Sequence, residues 1–331
     1  MRYHYQQRKN RDRRVYLLCS LFLIFSACTH PLYRDKFVIL GTYLEVISPY
    51  KQAGEIVYQE FKRLDKVFNL YNPNSEISRL NHTNNQSFSA SPELIEVIEL
   101  AKRVYKLTEG GFDISSGRIY SLWKDLIKKG EAEEFPSLEK IKELKKYTGM
   151  DYIEVDNKKK VITIKKKGIK IDLSGIAKGY IVDKAVIALK KKGVKSALIN
   201  AGGDIYCLGK NRTTLWKVGV RNPQLSTEIV DTLSIVDEAV ATSGNYEQFF
   251  EFKGKKYSHL INPKTGFPVE NNLLSVTVVA NTCALADSLA TGLFIMGLEG
   301  IKKVTSKGIP EIKKVIAITK NNHSVEVKYF P

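Results

Sequence analysis

The chain has 331 residues, 43% of them hydrophobic and 26% charged, with a formal net charge of +17. That is enough chain for one large domain or two modest ones, and the composition excludes a disordered or fibrous protein. The basic balance invites a nucleic-acid reading. However, the lysines fall in short runs at 158–160, 165–167 and 190–192, beside strand-like or helical patterns, as solvated faces do. No nucleic-acid partner is expected; the same charge suits a phosphate-bearing substrate or an anionic membrane surface.

The N-terminus carries Arg2, Arg8, Lys9, Arg11, Arg13 and Arg14 against one acid, Asp12, and an apolar run over 15–25 follows. A basic segment and an apolar run of that length describe a secretory signal, too short to span as a stable membrane helix. Phe25-Ser26-Ala27-Cys28 is similar to a lipobox, in which lipidated Cys28 becomes the first mature residue. The expected organisation is a signal peptide over 1–27, a tether over 28–35 and one folded unit over 36–331. The expected location is outside the cytosol, at the periplasmic side of the inner membrane or the cell surface. An uncleaved anchor with an incidental Cys28 is the alternative; Cys19 follows Leu18, too bulky for such cleavage. Cys207 and Cys283 leave pairing open, and the lack of a CxxC or a His/Cys cluster argues against structural zinc.

Residues 36–47 read as a strand with Gly41-Thr42 inside it, and 53–70 as a helix with Ile56, Phe61, Leu64, Val67 and Phe68 near helical spacing. Residues 69–85 read as a polar loop. Ser91-Pro92 opens a helix to about Thr108, with Ser91 as N-cap and Pro92 at the first position, and Gly110-Gly111 stops it. Residues 113–150 read as loop plus two short charged helices, and 152–171 as two strands turning at Asp156-Asn157. Next come a strand at 170–173, a tight loop at 174–179, a helix at 180–192 and a strand at 196–200, a strand–loop–helix–strand unit. The rest is strand-rich up to a helix at 285–296 and closing strands at 315–319 and 324–329. No linker divides the chain, so the fold class expected is α+β in one intertwined unit.

Three stretches carry chemistry. In the 174–179 loop, glycines let the backbone approach a ligand and a helix N-terminus offers free N–H groups, with Lys178 adding full charge. That suits a pyrophosphate, although the pattern is neither the dinucleotide fingerprint nor the P-loop, and such a turn alone is more often architecture. Asp287 and Thr291 lie four apart on a helix and so share a face, two hard oxygen donors suited to Mg²⁺ beside phosphates. By themselves they read equally as helix packing. His259 ends a strand before a Pro-Gly turn, where imidazole serves as a general base; a lone His is otherwise usually structural. His30, His82 and His323 fall in the tether or polar loops.

These elements in this order, with Asp113-Ile114-Ser115-Ser116-Gly117 upstream, resemble the ApbE family of FAD:protein FMN transferases. The resemblance runs from Gly41-Thr42 to the last strands and is most specific over 171–183, 200–204, 242–246 with 259–268, and 287–297. It implies that Asp172 and Lys178 hold FAD, and that Phe112, Asp113 and Ile114 lie along the flavin nucleotide. Ile261 and, more weakly, Tyr71 would contact the flavin. The metal ligands implied are the Gly175 carbonyl, Asp287 and Thr291, and His259 is the implied base. Ser115 stands where Thr is usual, Ser174 where Gly is common and Arg118 where Pro often follows the glycine. The implied reaction is Mg²⁺-dependent transfer of FMN from FAD to a Thr or Ser hydroxyl, releasing AMP. The implied acceptors are exported flavoproteins, such as subunits of the sodium-translocating NADH:quinone reductase or the Rnf complex. Hydrolysis of FAD to FMN and AMP, or flavin capture by a non-catalytic lipoprotein, are the alternatives.

Overall fold

The computed structural model describes residues 31–83, 86–130, 134–225, 227–246, 248–321 and 324–331. The expected signal peptide, Cys19, Cys28, His30 and His323 lie outside the described residues. Residues Leu32–Pro331 form one compact unit.

The chain enters through an antiparallel hairpin, β1 (Tyr33–Ile39) and β2 (Thr42–Ser48), where the sequence reads as one strand. The break falls at Leu40 and Gly41, with φ of 54° and 67°. Two-residue hairpin turns with positive φ match the strand twist, and Gly41 takes that conformation without steric cost. Helix α1 (Ala53–Phe68) buries Val57, Phe61, Leu64 and Phe68 along one stripe. The expected loop after it contains a short helix, α2 (Glu76–Asn81). Ser75 caps it by accepting from the Ser78 N–H at 3.2 Å, while Ile77 and Leu80 are buried.

Strand β3 (Ser87–Ser89) leads to α3 (Pro92–Leu107), which begins as expected: the Ser91 hydroxyl accepts from the Leu94 N–H. Helices α4 (Gly117–Lys129) and α5 (Leu138–Lys145) are the two charged helices. Strands β4 (Ile153–Asp156) and β5 (Val161–Ile164) are the expected pair, joined by β3 in a three-stranded sheet. Then follow α6 (Ala177–Lys191), β6 (Ala197–Ala201), β7 (Asp204–Leu208), β8 (Trp216–Arg221), β9 (Ile229–Ile235), β10 (Glu238–Gly244), β11 (Phe249–Phe252), β12 (Lys255–Ser258), β13 (Leu273–Ala280), α7 (Cys283–Thr305), β14 (Ile312–Asn321) and β15 (Ser324–Phe330).

Eight strands form one antiparallel sheet in the order β1-β2-β6-β7-β10-β13-β14-β15. The alternation of side chains along each strand gives it two apolar faces. Val276, Val278, Val315 and Ala317 join the core shared with α1, α3, α6 and α7. Their neighbours Val279, Ile316 and Ile318 pack instead with Trp216, Val218 and Leu233 of the β8–β9 ribbon. A smaller cluster of Ile119, Trp123, Ile141, Phe250 and Ile261 seats α4, α5 and the β11–β12 hairpin together. Among the described residues, α7 alone is long and apolar enough to cross a membrane by composition, and it is mostly buried in the fold, as a core helix is. It breaks at Gly297, where φ is +73°, so its first segment ends at Met296 as the sequence pattern indicates.

Candidate active site

Residues 170–173 make no ladder, contrary to the strand expected there. The Ile171 N–H donates to the side-chain carbonyl of Asn81 at 2.7 Å, and the Asn81 amide donates back to the Ile171 carbonyl at 2.8 Å. The Asp172 N–H donates to the Ile114 carbonyl at 2.8 Å, and Lys170 makes a single bridge to Ser116. A side-chain amide thus satisfies the backbone where a neighbouring strand would otherwise be needed. Helix α6 starts at Ala177 rather than Tyr180, so Lys178 and Gly179 belong to its first turn. The expected four-part element is therefore a loop, a helix and a strand.

Gly179 lets α6 pack against the start of α7, since a Cβ there would lie 2.5 Å from the Cys283 carbonyl oxygen. One turn along, the Asp183 carboxylate accepts from the N–H groups of Cys283 at 2.7 Å and Ala284 at 2.9 Å. Burial pushes the Asp183 carboxyl up to about 7 despite those two bonds. Cys283 and Cys207 are both buried and free; burial pushes Cys207 up to about 12 and Cys283 well up.

The docking of α6 on α7 opens a cleft of about 700 Å³. It is lined by Tyr71, Phe112, Asp113, Ile114, Asp172, Gly175, Lys178, His259, Ile261, Asp287 and Thr291, every substrate, metal and base residue singled out from the sequence. Asp287 is buried, with an oxygen 3.4 Å from the Gly179 nitrogen, and the Thr291 hydroxyl lies 3.1 Å from that of Ser243 on β10. A Cβ on Gly175 would sit 3.6 Å from Thr291 Oγ1 and 3.1 Å from the Phe112 ring, so the Gly175 main chain lies against both. The result is a small group of hard oxygen donors. Lys178 pairs with Asp204 at 2.7 Å, at the N-terminal end of the 15-residue α6.

His259 follows β12, with Nδ1 3.1 Å from the Gln248 carbonyl oxygen. Burial lowers its pKa, and the charges of Lys124 and Lys178 add to that against the opposing bond to Gln248. Burial raises the Asp113 carboxyl, although the Ser115 N–H and hydroxyl donate to it at 2.8 and 2.6 Å. The Tyr120 hydroxyl donates to the Asp113 carbonyl at 2.9 Å. Tyr71 stands exposed at the rim, its ring 4.9 Å from Lys128 Nζ. The departure at Arg118 is absorbed outside the cleft: its Nε donates to the Gly168 carbonyl and its guanidinium lies 4.8 Å from the Tyr147 ring.

Sequence reasoning missed Lys124, Ser243, Gln248 and the partnership of Asp204 with Lys178. Lys124 had a local signal. Tyr120, Trp123, Lys124 and Ile127 follow helical spacing and all face the cleft, so a lysine interrupts an otherwise aromatic and apolar stripe. Ser243 lies within the 242–246 stretch of the resemblance without a role of its own there, and Gln248 carries no local signal; both reach the site through sheet pairing and hairpin geometry.

Residues 40–316 match the model of the ApbE family. The chain is 32% identical over 282 residues to the FAD:protein FMN transferase of Haemophilus influenzae, spanning 83% of this chain and 80% of that protein. It is 34% identical over 246 residues to the FAD:protein FMN transferase of Vibrio cholerae, spanning 72% of each. Its fold is similar to the solved flavin transferase ApbE from Vibrio cholerae, with a TM-score of 0.78 and 26% identity over 91% of this chain and 98% of that one. The ApbE protein from Thermotoga maritima gives a TM-score of 0.79 and 30% identity over 89% and 96%.

Proposed function

The chain belongs to the ApbE family, and we propose that it acts as an FAD:protein FMN transferase whose chemistry takes place in the cleft between α4, α6 and α7. It moves FMN from FAD to a Thr or Ser hydroxyl of an acceptor protein. The observation that carries this reading is that one cleft holds the α6 N-terminus with Lys178, the Asp287–Thr291 pair and His259.

The FAD pyrophosphate lies at the start of α6, where the positive end of the helix dipole and Lys178 receive its charge. Phe112 and Ile114 offer apolar contact to the flavin half, and Tyr71 covers it from the rim. The Gly175 carbonyl, the Asp287 carboxylate and the Thr291 hydroxyl fit a magnesium ion, which takes few protein ligands and shares phosphate oxygens. Such an ion, when bound, neutralises charge on the pyrophosphate bridge. His259 accepts the proton of the acceptor hydroxyl, whose oxygen bonds to the FMN phosphorus as the bond from that phosphorus to the bridging oxygen breaks. AMP leaves with the bridging oxygen. The lowered pKa of His259 supports this role, since it keeps the imidazole neutral near pH 7.

The test is incubation of the protein with FAD, Mg²⁺ and a Thr-bearing acceptor peptide. The expected result is a peptide mass gain of one FMN with AMP release, both lost in Asp287→Ala and His259→Ala. AMP release without peptide modification would mean FAD hydrolysis instead, and bound but intact FAD would mean a flavin-binding protein.

The N-terminal sequence supports an exported enzyme held to a membrane by lipid on Cys28, where exported flavoproteins of the quinone-reductase or Rnf type would be within reach. Cys28→Ser should move the protein from the membrane to the soluble fraction; unchanged partition would sink the anchor.

A further inference from the structure

The buried Asp172 carboxylate has both oxygens engaged within the chain. Oδ1 accepts from the Ser174 N–H at 2.9 Å and its hydroxyl at 2.6 Å, while Oδ2 accepts from Lys124 Nζ at 2.6 Å. Lys124 Nζ also donates to the Ser174 hydroxyl at 3.1 Å. An ammonium has three N–H donors, and these two contacts leave a third. Both residues line the cleft, but the Lys124 side chain is 34% exposed against 5% for that of Asp172. Of the two groups, the lysine is the one presented to a ligand.

Its position indicates which ligand. Ser174 immediately precedes Gly175 and the first turn of α6, so the ammonium stands beside the loop at which Lys178 also arrives. Each of these two lysines is fixed by a buried carboxylate, Asp172 for Lys124 and Asp204 for Lys178. A compact point charge beside the positive end of a helix dipole suits a phosphate oxygen.

We propose that Lys124 is a direct phosphate ligand of the bound flavin nucleotide, and that Asp172 acts through it as the residue that positions the ammonium. The assignment rests on the reading of the cleft as a flavin-nucleotide site. It differs from a direct Asp172 contact to the substrate, because the carboxylate is already occupied and a phosphate would be repelled by it.

The test is titration of the full chain with riboflavin, FMN and FAD, followed by flavin fluorescence. Lys124→Met should weaken FMN and FAD binding by roughly tenfold to a hundredfold, the worth of a charge-assisted hydrogen bond. Riboflavin, which lacks the phosphate, should bind wild type and variant alike. Lys124→Arg should recover part of the loss. Asp172→Asn should weaken FMN but not riboflavin, and should add little to Lys124→Met when the two are combined. Should Lys124→Met fail to fold, Lys124→Gln and Asp172→Asn carry the same comparison. Unchanged FMN affinity in the lysine variants, or an equal loss for riboflavin and FMN, would overturn the assignment. A wild-type chain that binds neither FMN nor FAD would instead sink the flavin reading itself.

Discussion

His259 Nδ1 lies 3.1 Å from the main-chain oxygen of Gln248, and a carbonyl can only accept, so Nδ1 carries a proton. In the neutral ring Nε2 is then the acceptor. The His259 N–H donates to the same oxygen at 3.0 Å, so one carbonyl fixes both the backbone and the ring. The ring is thereby held in one tautomer, with Nε2 as its acceptor.

His259→Gln should lower turnover by about 10²–10⁴ while FAD still binds, the usual worth of a positioned base. Because its pKa lies below the ordinary histidine value of 6.5, the wild-type rate should fall with acidity through a midpoint under that value. A midpoint above it would contradict the burial and lysine charges that lower it. The pH dependence of kcat/KM in the peptide assay provides the measurement.

Chelation should abolish transfer, and added Mg²⁺ should restore it. Asp287→Ala removes the buried carboxylate from the donor group, so it should cost about 100-fold or more in activity and raise the Mg²⁺ requirement. Thr291→Val keeps the charge and should cost about tenfold, in line with the smaller contribution of a neutral oxygen. Mg²⁺ titrations of each variant distinguish lost metal affinity from lost folding.

Asp183 makes stability depend on pH in a definite direction. Its folded pKa of about 7 lies above its ordinary 3.8, because burial disfavours the anion. Its stabilising contribution is therefore full below the unfolded value, falls as pH rises, and is gone above the folded one. Asp183→Asn cannot titrate, so its deficit against wild type should be largest near about pH 4 and shrink by a few kcal/mol towards about pH 8. Urea unfolding at a series of pH values reads this directly.

Gly179→Ala sets helix propensity against packing. Alanine favours a helix interior by about 1 kcal/mol, but the added carbon would meet the Cys283 carbonyl at 2.5 Å and the Ala284 Cα at 2.8 Å. Both are backbone atoms of α7 and cannot swing away. A net loss of about 1–3 kcal/mol is expected, as for overpacked cores. Activity should fall with it, because Lys178 on α6 and Asp287 on α7 are held in register by this contact. Calorimetry and the transfer assay together test both halves.

The sequence by itself determined what depends on spacing along the chain. Ser91 and Pro92 start α3, Gly297 ends the first segment of α7, and the four-residue interval puts Asp287 and Thr291 on one face. These follow from local hydrogen bonding and from the 3.6-residue repeat. Motif order then named Tyr71, Phe112, Asp113, Ile114, Asp172, Gly175, Lys178, His259, Ile261, Asp287 and Thr291, which line the cleft, but not Lys124, Ser243 or Gln248, which line it too. What only the tertiary structure decided is which of them touch. Asn81 satisfies Ile171 from 90 residues away, which is why the expected strand at 170–173 never forms. Asp183 and Gly179 dock α6 on α7 across about a hundred residues of chain. Lys124 interrupts an apolar helical stripe, but nothing along the chain says that it meets Asp172, 48 residues away. The physical reason is the same in each case. The pairing of a polar side chain or a missing Cβ leaves no trace in the sequence, because the partner is chosen by packing between elements far apart along the chain.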